Sequence, residues 1–233
     1  MTLRLLTWNI RAGGGSRIPA IGSALAPHDA DVLVLTEYRD GPSVFALHAE
    51  LARLGYKHVT RCLPPRGRNG VLIASRRRFQ EIGVLSAAVD EPWRMIEVVI
   101  GRIRVVGVYM PNLRVKIPYW EALIQVLSQR AKGSVLALGD FNTCRAFLDE
   151  SGATDATARF MDEVQSAGFR DLWRDRNPEG REFSWYSTRG NGFRVDHAFL
   201  SARLVKRATD VRYEHDSRVA GVSDHSMLVL DLR

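Results

Sequence analysis

The chain has 233 residues, 45% hydrophobic and 25% charged, which is ample length for one sizeable domain with a real core. No apolar run approaches the ~18 residues needed to cross a bilayer, and the opening Met1-Thr2-Leu3-Arg4 leads into too short an apolar stretch for a secretory signal. Two cysteines, Cys62 and Cys144, offer neither a disulfide framework nor a CxxC pair, so a cytoplasmic protein is expected, and the net charge of +7 favours a polyanionic partner such as nucleic acid.

In chain order, apolar and β-branched runs predict strands over 3–8, 32–35, 71–74, 95–100, 103–110, 135–138, 197–200 and 227–232. Several are near-continuous rather than alternating, the pattern of strands buried on both faces. Helical periodicity fits 18–25, 44–54, 119–131 and 156–167. Gly101-Arg102 between two strand runs reads as a hairpin turn. The polar, glycine-bearing stretches 145–155 and 177–192 read as surface loops. Strands outnumber helices by about two to one, whereas a doubly wound sheet needs nearly one helix per strand. Two stacked sheets with helices on their outer faces satisfy both counts, in a single domain over 1–233.

The polar residues bordering these strands form a pattern. Asn9, Glu37, Tyr109, Asn112, Asp140 and Asn142 follow strands at their carboxyl ends. Asp196 and the pair Asp224-His225 lie at amino ends instead. If the last strands run antiparallel to the others, all gather on one edge. An extended backbone past Gly139 would also point Asp140 and Asn142 the same way. Glu37 with oxygen support from Asn9 suits Mg²⁺ or Mn²⁺, while no His/Cys spacing favours zinc. His225, oriented by Asp196, can act as an imidazolium or a base. Asp140 can position or deprotonate water, and Asn142 and Tyr109 can hydrogen-bond phosphoryl oxygens. The set describes in-line hydrolysis of a phosphate ester.

Taken together, Thr7-Trp8-Asn9-Ile10, Leu35-Thr36-Glu37, Val108-Tyr109-Met110-Pro111-Asn112, Gly139-Asp140-Phe141-Asn142, Arg194-Val195-Asp196 and Ser223-Asp224-His225 resemble the ordered signature of the endonuclease/exonuclease/phosphatase superfamily. Within it, 159–173, 183–186 and 116–123 are similar to the exonuclease III branch of abasic-site endonucleases. The resemblance implies a four-layer α/β sandwich of the deoxyribonuclease I-like kind. It also implies Glu37 as metal ligand beside Asn9, Asp224 flanking the metal site, Asp140 handling water, Asn142 and Tyr109 at the phosphate, and Asp196 partnering His225. The branch usually carries Gln before the metal glutamate and Lys two after it; here these are Thr36 and Arg39. Ser184 is small where a second aromatic sometimes lies.

The expected protein is therefore a monomeric, Mg²⁺- or Mn²⁺-dependent DNA phosphodiesterase acting at abasic sites or 3′ ends. Asn112, Arg66, Arg68, Asn69 and Arg114 are candidate substrate contacts, and Trp185 and Phe193 candidate base or sugar stackers. The alternative keeps the chemistry and changes the substrate to a small phosphoester or lipid headgroup.

Overall fold

The computed structural model describes residues 2–150, 152 and 156–233. Strands β1 (Leu3–Asn9) and β2 (Val32–Arg39) are joined through α1 (Ile18–Leu25). Next come α2 (Val44–Arg53), β3 (His58–Val59), β4 (Asn69–Ser75) and β5 (Gln80–Val84). The hairpin of β6 (Met95–Ile100) and β7 (Ile103–Tyr109) precedes α3 (Ile117–Arg130) and β8 (Val135–Asp140). Then follow α4 (Arg159–Ser166), β9 (Phe169–Asp171), α5 (Leu172–Arg176), and the small hairpin of β10 (Trp185–Tyr186) and β11 (Gly192–Phe193). The chain ends with β12 (Asp196–Ser201), α6 (Ala202–Val205), β13 (Ala208–Glu214), α7 (Asp216–Val219) and β14 (Met227–Leu232).

One six-stranded sheet has the order β13-β14-β1-β2-β4-β3, and the other β5-β6-β7-β8-β12-β9. Each is built around one parallel pair, β1 with β2 and β7 with β8. β14 runs antiparallel to β1, and β12 antiparallel to β8. The carboxyl ends of the parallel pairs and the amino ends of β12 and β14 thus lie on one edge, as the sequence pattern requires. The predicted four-layer sandwich is the observed one.

The apolar runs are continuous because these strands are covered on both sides. Leu5, Val34, Ile73, Val98, Val105 and Leu138 fill the space between the sheets. Trp120, Leu123, Phe160 and Met161 cover the outer face of one sheet, and Ile21, Leu25, Leu47 and Leu51 that of the other. The sheets approach closely at Gly107, where a Cβ would meet Val71 Cγ1 at 2.7 Å and Val34 Cγ1 at 3.0 Å. Only glycine fits there.

Several expectations change. β5 and β13 were not predicted, because these edge strands are part-exposed and carry little apolar signal: in β13 only Val211 and Tyr213 are buried. α3 begins earlier, at Ile117, with Pro118 in its first turn, the position proline favours. α4 is shorter than 156–167, because the residues before Arg159 form a turn. Of the loop 145–155, residues 151 and 153–155 lie outside those described.

Candidate active site

Glu37 reaches the shared edge by an irregularity. The register of β2 against β4 shifts between Thr36 and Tyr38, and Glu37 takes a left-handed backbone with φ 54°. A bulge of this kind re-aims one side chain out of the ladder at a small cost in strain. The Glu37 carboxylate then accepts from the Ala12 amide at 2.8 Å and from Asn9 Nδ2 at 3.2 Å. The Tyr109 hydroxyl donates to it at 3.4 Å.

Asp140 ends β8, directly opposite Tyr109 on one side and Asp196 on the other. Before it, Gly139 has φ 148°, and a Cβ there would fall 1.9 Å from the Val108 carbonyl oxygen. No side chain is compatible with that approach. After it the chain does not stay extended: Asn142 is left-handed (φ 47°) and its amide donates to Asp140 Oδ1 at 2.9 Å. This Asx-type turn corrects the expectation that the two side chains point alike. Asn142 Nδ2 instead donates to the Met110 carbonyl at 2.8 Å, and the Lys116 ammonium to the Asn142 carbonyl.

The three buried groups Asp140, Asp196 and His225 bring ligand atoms within 4.8 Å of one another. His225 Nδ1 lies 2.8 Å from Asp196 Oδ2, and Nε2 lies 4.0 Å from Asp140 Oδ2. Asn9 Nδ2 donates to Asp140 Oδ2 at 3.0 Å, and its Oδ1 accepts from the Arg11 amide. Asn9 therefore bridges two carboxylates as a donor, where sequence reasoning expected an oxygen ligand. Burial raises the Asp140 carboxyl to about 7, with Asp196 adding and the His225 charge opposing. Burial alone would lower the His225 imidazole, but the Asp196 and Asp140 charges outweigh it and raise it to about 9. Burial and the Glu37 and Asp140 charges push Tyr109 up to about 12, so its hydroxyl stays a donor.

A cleft of about 770 Å³ opens over these groups. Glu37, Tyr109, Asn112, Arg114, Asp140, Asn142, Trp185, Phe193, Asp224 and His225 all line it. Trp185 and Phe193 pack on each other with centroids 5.6 Å apart, forming an aromatic wall, and Trp185 Nε1 donates to Asp224 at 3.4 Å. Asn69 accepts from Arg39 Nε at 2.9 Å. Arg66 and Arg68 do not line the cleft. Arg68 is held by Glu91 at 3.0 Å, while Arg66 is exposed on the loop before β4.

A divalent ion fits this donor set. Asp140 and Asp196 flank the His225 imidazole, Glu37 and Asp224 line the same cleft, and buried Asp196 Oδ1 has no hydrogen-bond partner. Hard oxygen donors with surplus negative charge match Mg²⁺ or Mn²⁺. Glu37 and Asp224 are the carboxylates open to the cleft, whereas Asp196 is committed to His225.

Sequence reasoning missed the groups that hold the site in place. Ser184 is fully buried; its hydroxyl accepts from the Val195 and Asp196 amides at 3.1 and 3.2 Å, and its carbonyl from the Ser226 amide. A small hydroxyl here ties the start of β12 to the segment carrying His225. Ser223 Oγ donates to the Asn9 carbonyl at 2.6 Å, and Trp8 Nε1 to the His225 carbonyl at 2.9 Å. The guanidinium of Arg94 lies over the Tyr109 ring, 4.6 Å from its centre. Trp8 and Ser223 stand in recognisable motifs, but the tethering contacts of all four depend on partners outside their own local stretch.

A model of the Endonuclease/Exonuclease/phosphatase family matches residues 6–225. The chain belongs to this family. Its fold is similar to that of a 3′ phosphatase, NExo, from Neisseria bound to a product DNA hairpin (25% identity, 99% of each chain, TM-score 0.87). It is also similar to an AP endonuclease from Archaeoglobus fulgidus (26% identity, 98% of each chain, TM-score 0.85). An AP endonuclease from Leishmania major, at 19% identity and TM-score 0.78, shares the fold. No curated protein sequence matches significantly. Family and neighbours together make the chain a hydrolytic nuclease, as its motif order implied.

Proposed function

We propose that the protein is a divalent-metal-dependent DNA phosphodiesterase acting at abasic sites or 3′ ends. The observation that carries this is the convergence of Glu37, Asp140 and His225, with Asp196 behind His225, on one cleft with an aromatic wall. Neighbours described as a 3′ phosphatase, a 3′-5′ exonuclease and an AP endonuclease support DNA as the substrate class.

In this reading Glu37 and Asp224 would hold the ion, which would supply Lewis-acid stabilisation of the phosphoryl group. Asp140 takes a proton from the attacking water, which its raised affinity near neutral pH suits. His225, held as the cation by Asp196, faces the charge that builds on the phosphoryl oxygens. Tyr109 donates to the same oxygens, and Asn142, whose amide group is turned to the Met110 carbonyl, shapes the turn at their base. Asn112 and Arg114 on the rim meet the flanking phosphate, and Trp185 and Phe193 pack on the exposed sugar or base. The deciding assay incubates the purified protein with Mg²⁺ and abasic, nicked, 3′-blocked and single-stranded DNA. Cleavage of none of these, with turnover of a small phosphomonoester instead, rejects the reading.

Two expectations follow from the geometry. Glu37→Ala weakens metal binding, so the Mg²⁺ concentration for half-maximal rate rises and excess Mg²⁺ restores part of the activity; an unchanged Mg²⁺ titration removes Glu37 from the ion. The rate also follows a bell in pH. It rises as Asp140 loses its proton near about 7 and falls as His225 loses its own near about 9. A rate still rising above pH 10 would show that His225 does not act as the cation.

A further inference from the structure

At the opposite end of the sandwich lies a second concavity of about 750 Å³. It sits between the β6–β7 turn, the carboxyl end of α3, the amino end of β8 and α6. β8 alone separates it from Asp140 by about 17 Å along the strand. Its wall carries Arg102, Arg104, Arg130, Lys132, Arg203 and Arg207 and no acidic side chain. Arg104 and Arg130 are fixed by one fully buried carboxylate, Glu97, each giving it Nη1 at 2.6 Å. That leaves the other N–H groups of two preoriented guanidinium forks for a ligand. Arg207 is tied through Nε to the Arg233 main-chain oxygen at 2.7 Å. The side chains of Arg102, Lys132 and Arg203 make no hydrogen bond or ion pair among the described residues.

We infer that this concavity is a binding site for a compact polyphosphate anion, inorganic or carried on a nucleoside. Six cations lining one concavity repel one another; Glu97 and the Arg233 main-chain oxygen engage three of them, and Arg102, Lys132 and Arg203 are left without a counterpart among the described residues. A multiply charged ligand relieves that repulsion and matches the guanidinium forks. The volume falls in the range of small-ligand sites, about 300–1,000 Å³.

The test measures calorimetric binding of tripolyphosphate, ATP and a short single-stranded DNA to the full chain without metal, so the catalytic site does not bind phosphate through an ion. Saturable tripolyphosphate binding is expected, weakened at least about tenfold by R102E/R203E and falling with salt. DNA cleavage by that variant stays near wild type, since neither residue touches the catalytic cleft. ATP binding with the same sensitivity assigns a nucleoside-borne source, and tripolyphosphate binding alone an inorganic one. If R102E/R203E does not fold, K132E carries the same comparison. The inference is overturned if no saturable binding occurs or if charge reversal leaves it unchanged. Tighter binding of single-stranded DNA than of tripolyphosphate, with the same sensitivity to charge reversal, overturns it too, since it makes the surface a nucleic-acid contact.

Discussion

Asp140→Asn is expected to lower kcat by about 10²–10⁴-fold, or about 2.7–5.5 kcal/mol in the barrier, the range of a lost general base. The substitution keeps size and shape. A carboxamide oxygen can still accept from the Asn142 amide, as Asp140 Oδ1 does at 2.9 Å. What disappears is the proton acceptor, and with it one of the charges that hold His225 protonated. Burial already works against the ionised form of Asp140. Removing that charge relieves its burial cost, but the new amide N–H then faces the Asn9 Nδ2 donor, from which Asp140 Oδ2 accepts at 3.0 Å. The two effects offset, so the melting temperature changes little while activity falls. This divergence separates a chemical role from a structural one. Single-turnover cleavage of DNA beside a thermal melt gives both readings. A loss under tenfold would show that Asp140 does not take the proton.

The second large effect is on stability. Arg194→Met is expected to cost about 3–5 kcal/mol, the penalty for stripping one partner from a buried ion network. For a chain of this size that lowers the melting temperature by about 6–20 °C. Arg194 is wholly buried and donates to Asp149 at 2.8 Å and to both oxygens of Asp171 at 2.7 and 3.1 Å. Arg174 adds a contact to Asp149 at 2.6 Å, and the His197 imidazole lies against Asp171 and the Thr143 carbonyl. The network locks the backbone on both sides of Asp196. Arg194→Lys does not rescue fully, because an ammonium cannot span two carboxylates as the planar fork does.

The pH dependence of this cost has a definite sign. Burial would push the Asp149 and Asp171 carboxyls up, but Arg194 and its neighbours hold both below the usual range. In the wild type their contribution is complete above the unfolded-state value near ~3.9. It is lost as pH falls through the lower folded values. The Met variant buries carboxylates short of a cation, so it gains relative stability as they protonate. The gap between the two proteins should narrow below pH 4 in denaturant titrations. A gap that is constant from pH 7 to 3 would mean that Arg194 contributes packing and not charge.

Much of this molecule is legible in one dimension. Continuous apolar runs such as Val135–Leu138 announce strands covered on both faces, because burial leaves no room for alternation. The edge strands β5 and β13 were invisible for the converse reason: a half-exposed strand tolerates Thr, Asp and Arg. Glu37 and Asp140 were identifiable because each follows a strong strand signal. The left-handed turn at Asn142 was not, since Asn accepts both extended and left-handed backbone. Arg68 shows the limit of counting charge: it falls to Glu91, 23 residues away, and faces no cleft.

The sequence by itself determined which chemical groups exist and at which strand ends they stand, because hydrophobic periodicity and motif order are local and survive without coordinates. Only the tertiary structure decided how they meet. Strand direction, the Thr36–Tyr38 register shift and the Ser184 and Arg194 tethers join residues from about a dozen to more than two hundred positions apart, and pairing over such separations leaves no mark in neighbouring letters. The protonation of Asp140 and His225 belongs to the same class, since burial and the approach of a second carboxylate set it and neither is a property of the residue alone.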